Sequence, residues 1–206
     1  AGKSNLMGFL ANRQDAFPHP NLLVDCNRLL QYTPQAFFDL LGQALIDEDS
    51  VSGISVQSLQ NAISQKLAKT AGSLTILLDR FDVFPHDIVP AIASSLRSLR
   101  DAHKYQLTYV VATRRPLNPL SELAELFFAH TIWLGPLSES DARWNVQRYA
   151  QRRGLQWGDE IADRMIELSG GYPALLKAVG DAYAMGAELS LDVLGNHPAV
   201  IRRVAE

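Results

Sequence analysis

Apolar positions change rhythm along this chain, and the change divides it. Leu74-Thr-Ile-Leu-Leu-Asp79 is an almost unbroken apolar, β-prone run that ends in acid, first at Asp79 and again at Asp82. A run of that length suits a strand buried on both faces, as in a parallel sheet beneath helices. Asn21-Leu-Leu-Val-Asp25-Cys26, Leu107-Thr-Tyr-Val-Val-Ala112 and His130-Thr-Ile-Trp-Leu134 read as three further strands. Between them the apolar spacing turns helical. Leu6, Met7, Phe9 and Leu10 follow that rhythm near the start. Phe37, Phe38, Leu40, Leu41, Ala44 and Leu45 form one face of a helix that Thr33 caps and Pro34 opens. Residues 56–69, 88–104 and 120–128 predict three more helices.

Past residue 135 the alternation stops. Ser138 caps a helix to about Arg152, and Asp159 begins another to about Leu168. Ser169-Gly-Gly-Tyr-Pro173 is a tight turn, after which Pro173 opens a helix through Met185. A fourth follows from Leu191, with Pro198 interrupting it. The expected organisation is an α/β domain over 1–136 and a smaller all-helical domain over 137–206.

Composition adds mainly exclusions. At 206 residues, 47% apolar and 20% charged, the chain has the make-up of a soluble globular protein with a sizeable core. A formal net charge of -3 gives no global pull toward nucleic acid or an anionic membrane. The single cysteine, Cys26, cannot form an internal disulfide or a multi-cysteine zinc site. No apolar run reaches the ~18 residues of a membrane span, and the opening residues lack the pattern of a secretory leader. A cytoplasmic location with no membrane partner is the expectation. His19, His86, His103, His130 and His197 are scattered, and none is assigned to metal or catalysis.

Three short stretches carry chemistry. Gly2-Lys3-Ser4 precedes the first helical rhythm. Glycine lets backbone N–H groups curl around phosphate, lysine reaches the outer phosphates, and a serine hydroxyl ligates Mg2+. Asp79 and Asp82 fall at the carboxyl end of a strand, where open α/β sheets bind ligands. Thr113-Arg114-Arg115-Pro116 puts two cations at the end of another strand, and arginine suits phosphate geometry. By contrast, Asp47-Glu48-Asp49 reads as a solvated surface turn.

Taken in order, G-K-S before a helix, an apolar strand ending D-x-x-D, a strand ending T-R-R-P and a helical region with G-G-x-P resemble the AAA+-like P-loop NTPases. Within them the set looks most like the STAND signalling ATPases, including the archaeal and bacterial branch related to origin-recognition ATPases. The likeness spans nearly the whole chain. It implies a P-loop NTPase parallel sheet sandwiched by helices, followed by an all-helical lid domain. It implies ATP and Mg2+ as cofactors. Gly2, Lys3 and Ser4 match the end of the Walker A motif, with Asn5 beside them in the cofactor-binding set. Asp79 matches the Walker B aspartate and joins Ser4 as the metal-binding pair. Arg115 matches the sensor arginine, with Arg114 as its neighbouring candidate. Gly171 and Pro173 match the lid motif near the adenine. The resemblance also implies a first strand and a first P-loop glycine ahead of residue 1.

One departure shapes the expected activity. Many relatives carry Glu or Asp directly after the Walker B aspartate, where it positions water. Here that residue is Arg80. A guanidinium cannot act as a base near neutral pH, and Asp82 is the substitute candidate. The expected function is therefore an ATP-binding signalling switch with slow hydrolysis, exchanging ATP and ADP and coupled to protein partners or an effector domain outside this chain. The alternatives are an oligomeric ATPase motor, with Arg97 or Arg100 as a trans arginine finger in a homo-oligomer; a DNA-binding origin-recognition-like ATPase; and a scaffold domain that binds no nucleotide. Arg148, Arg152, Arg153, Arg202 and Arg203 are the basic groups that DNA would use. The mildly acidic balance disfavours that use.

Overall fold

A computed structural model describes residues 2–13, 19–46, 51–70, 72–116, 122–127 and 130–205. The fold is α/β, with a three-stranded parallel sheet and many helices. Two compact units divide the chain, Lys3–Ile132 and a second that takes in Gly2 and Trp133–Glu206.

In the first unit, β2 (Leu74–Asp79) is the central strand. It pairs in parallel with β1 (Asn21–Asp25) on one side and β3 (Leu107–Ala112) on the other. Parallel strands need crossovers, and helices provide them. α1 (Lys3–Asn12) precedes β1, and α2 (Pro34–Ile46) and α3 (Val56–Lys69) lead from β1 to β2. α4 (Val89–Ala102) leads from β2 to β3, and α5 (Glu122–Phe127) follows.

The strand period of two sorts the side chains onto two faces. Leu74, Ile76 and Leu78 join the larger core with Phe37 and Leu41 of α2, Leu59 and Ile63 of α3, and Ile92, Leu96 and Leu99 of α4. Leu77 points to the other face, where Met7 of α1 and Ala112 cover it. Burial of both faces explains why β2 reads as a continuous apolar run rather than an alternating one.

Local signals agree with this architecture. The Ala36 N–H donates to Thr33 Oγ1 at 3.1 Å, and the Ser58 N–H to Ser55 Oγ at 3.1 Å, so a hydroxyl caps the start of both α2 and α3. Asp39 accepts from the Ile54 N–H and the Gln35 side-chain amide, each at 2.9 Å, and so ties the segment before α3 to α2. Burial pulls the Asp39 carboxyl upward, but the hydrogen bonds from Ile54, Gln35 and Gly53 outweigh it and the net shift is down.

The fourth expected strand does not form. Residues 130–137 carry no regular structure, and Ile132 and Trp133 stand 84% and 73% exposed. A strand exists only by pairing, and among the described residues β3 is an edge with no further neighbour. The apolar run His130–Leu134 was therefore a correct reading of composition but not of partner. The predicted helix over 120–128 is described over Glu122–Phe127, and residues 120, 121 and 128 lie outside the described set, as do Asp47, Glu48, Asp49 and Ser50.

The second unit is helical. α6 (Glu139–Arg152), α7 (Asp159–Ser169) and α8 (Pro173–Ala184) pack around Ala142, Val146, Met165, Leu176 and Val179. α9 (Leu191–Gly195) and α10 (Pro198–Ala205) close the set. Pro198 opens its own helix instead of interrupting one, because proline has no N–H to lose at a first helical turn. Tyr149 stacks on Trp157 with ring centroids 5.6 Å apart, and its hydroxyl bonds Asp181, which also takes Arg153 at 2.6 Å. That network fastens α6 to α8, and both rings lie against Gly180.

Candidate functional site

The site is built from the carboxyl edge of the sheet. The parallel register sets Asp25, Asp79 and Ala112 side by side at the ends of β1, β2 and β3. By strand alternation all three share the face with Leu23 and Leu77, which α1 covers. Two carboxylates and one small side chain thus form the last row beneath α1. Asp79 is 5% exposed, the only buried carboxylate among the described residues. Asp25 is partly committed, since its Oδ1 accepts the Asn27 N–H at 3.0 Å and caps the 3-10 turn Cys26–Arg28.

α1 runs against the strands. The Asn21 amide, at the start of β1, donates to the Leu10 carbonyl at 3.0 Å, while Met7 packs on Leu77 and Ala112 near the strand ends. Continuing back from Leu10 to Lys3 covers roughly 10 Å at the helical rise, against about 13 Å for β1. The first turn, Lys3-Ser4-Asn5, therefore comes to the edge that carries Asp79. No acidic side chain occupies that turn, and its backbone N–H groups carry the positive end of the helix dipole. Gly2 holds φ +94°, a backbone state that favours glycine, with nothing within 4 Å of where a Cβ would stand.

Beyond β2 the chain makes a sharp turn. Arg80 adopts the left-handed region at φ 55°, which starts the 3-10 turn Phe81–Val83. Phe81 drops into the core at 1% exposure, and Asp82 is left facing the loop after β3. There Arg114 Nε meets Asp82 Oδ2 at 3.4 Å. The other carboxylate oxygen, Oδ1, is buried and has no hydrogen-bond partner. Thr113 Oγ1 donates to the Arg115 carbonyl at 2.7 Å and ties the loop, while the Arg115 guanidinium has no partner among the described residues. Sequence reasoning had both aspartates and both arginines, but not that Asp82 and Arg114 pair across 32 positions of sequence.

Cys26 lies at the same edge, fully buried. Burial first, then the charges of Asp25, Asp79 and Asp82, pushes its thiol up to about 12. It stays protonated at neutral pH and is no nucleophile. Among the described residues no group of three or more His, Cys, Asp or Glu side chains could hold a metal ion on its own.

Gly171 and Pro173 belong to the helical unit, where the fold itself accounts for them. Gly170 ends α7 in the left-handed region, and Gly171 follows at φ +72°. A Cβ on Gly171 would stand 3.2 Å from the Leu137 carbonyl oxygen, beside the Leu137 N–H bond to the Gly171 carbonyl at 2.9 Å. Pro173 occupies the first turn of α8. Gly171→Ala is expected to cost the helical unit roughly 1–3 kcal/mol, from left-handed strain plus crowding. A thermal melt indistinguishable from wild type would show that this contact carries no weight.

The basic groups of α6 are in part occupied within the unit. Arg148 bonds Gln151, and Arg153 bonds Asp181 while stacking over the Tyr149 ring. No helix among the described residues is long and apolar enough to cross a membrane. Neither a protein-family model nor a curated protein matches the chain.

Proposed function

We propose that the first unit is a nucleotide-binding module of the AAA+-like P-loop kind, a STAND-type switch that takes ATP with Mg2+ at the carboxyl edge of its sheet. The observation that carries the reading is the convergence of the first turn of α1, with Lys3 and Ser4, and Asp79 on one edge, although 75 positions of sequence separate Ser4 from Asp79. Lys3 and the first-turn amides of α1 would hold phosphate oxygens. Ser4 and Asp79 are the residues that would hold Mg2+. A hydroxyl and a carboxylate suit that ion, which keeps waters and phosphate oxygens around it. Bound there, Mg2+ would neutralise charge on the outer phosphates.

Arg80 fills the position where an acid would orient water, so the module binds nucleotide well and turns it over slowly. In this reading the helical unit, with Gly171 and Pro173, is the lid that reports nucleotide state to protein partners. The module works in the cytoplasm. Internal pairing of Arg148 and Arg153 favours this reading over DNA contact through α6.

Calorimetric titration of the whole protein with ATP tests the proposal. Binding in the micromolar range, about -8 kcal/mol, is expected with Mg2+ and weakens strongly in excess EDTA. Absence of heat from well-folded protein at submillimolar ATP would overturn it and leave the scaffold alternative standing.

A further inference from the structure

The turn that joins α4 to β3 works against its own fold. Tyr105 is 100% exposed and holds φ 68°, in the left-handed region that favours glycine. The turn thus bears backbone strain and leaves a large ring wholly in water, and neither serves packing. Its two ends are fixed, with His103 and Leu107 buried on either side of the tip. The Gln106 and Leu107 N–H groups both donate to the His103 carbonyl at 3.1 Å, and the Gln106 carbonyl accepts the Leu74 N–H at 2.8 Å. The ring is therefore presented from a rigid base, and a tyrosine has few torsions to freeze on contact.

The surroundings of the ring are basic. Tyr105 precedes β3, so it stands at the amino edge of the sheet, roughly 20 Å along the strand direction from Ala112 and the nucleotide edge. α3 and α4 pack together and both end at this amino edge. α3 brings Lys66 and Lys69, α4 brings Arg97 and Arg100, and Lys104 adjoins the ring. Gln106 Nε2 lies 3.7 Å from where a Gly72 Cβ would stand, which joins the two turns into one surface. Asp101 is the carboxylate of these segments, and it pairs with Arg100 at 3.3 Å. Cations in last helical turns complement the helix ends, but Lys104 lies beyond α4 and is exposed.

We infer that this amino edge is a docking surface for an acidic protein segment, with Tyr105 as the anchor for one apolar side chain and the cations as its rim. Charge complementarity selects the occupant. A single ring at the centre favours a segment that carries an apolar side chain over the uniform phosphates of a duplex or the headgroups of a membrane. The surface needs no nucleotide, so its failure and that of the switch reading are separate results.

The test is fluorescence anisotropy on the whole protein with a labelled glutamate-rich octapeptide carrying one central leucine. A dissociation constant between about 10 and 500 μM is expected at low salt, weakening several-fold as salt is raised tenfold. Tyr105→Gly should weaken binding by roughly 10-fold while the melting temperature holds or rises, because the strain is relieved. Tyr105→Phe should keep most of the affinity, and Lys104→Glu should lose several-fold. No binding at ~1 mM peptide, equal affinity for the lysine-rich counterpart, or unchanged affinity in Tyr105→Gly overturns the inference. So does tighter capture of duplex DNA or phosphatidylserine vesicles that the same substitutions abolish. A lowered melting temperature in Tyr105→Gly would make the tyrosine a structural residue and overturn it as well.

Discussion

Phe81→Ala is expected to remove about 3–5 kcal/mol from the stability of the α/β unit. The ring is 1% exposed and sits in a cluster of edge-on contacts, with centroids 5.3 Å from Phe84, 5.7 Å from Phe37 and 6.2 Å from Phe127. Truncation loses the buried area, leaves a cavity and breaks ring pairs that each contribute roughly 0.5–1.5 kcal/mol beyond burial. Against a typical total of about 5–15 kcal/mol, that is enough to unfold a good fraction of the molecules at moderate temperature. Phe81→Leu keeps much of the volume and should cost far less. Denaturant midpoints for the two variants check this, and an alanine variant within ~1 kcal/mol of wild type would sink it.

How far the sequence showed this arrangement depends on whether each signal was local. Thr33 and Ser138 cap the helices they were expected to cap, because the capping bond spans only three residues: Thr33 takes the Ala36 N–H, and Ser138 the Asp141 N–H at 3.2 Å. β2 was legible because burial on both faces leaves a mark in one segment. The segment at His130–Leu134 carried a similar mark and formed no strand, since pairing is decided by a neighbour that periodicity cannot see. The Asp82–Arg114 contact was hidden for the same reason. Arg80 in the left-handed region had no sequence signature either, since glycine or asparagine is the usual sign of such a turn. The Gly170-Gly171 pair was legible as a turn. That Gly171 is required by the Leu137 carbonyl could come only from the packed structure.

Lys3→Ala should lower Mg2+-dependent ATP affinity by roughly 100-fold or more, the scale of losing a close charge on phosphate together with its hydrogen bonds. Stability provides the contrast. Lys3 is half-exposed in the first turn of α1, outside every apolar cluster. Alanine is the better helix former there, and a cation at a helix N-terminus opposes the helix dipole by about 0.3–1 kcal/mol. The substitution should therefore leave the melting temperature unchanged or slightly raised while binding collapses. A lysine serving only the fold would show neither the loss of affinity nor a reason to stand against the dipole. Phosphate at the same turn offsets the dipole penalty and supplies the reason. Titration and thermal melting of the same sample decide the matter. ATP binding that survives in Lys3→Ala removes this lysine from the site, and a large drop in melting temperature with it would make Lys3 a structural residue.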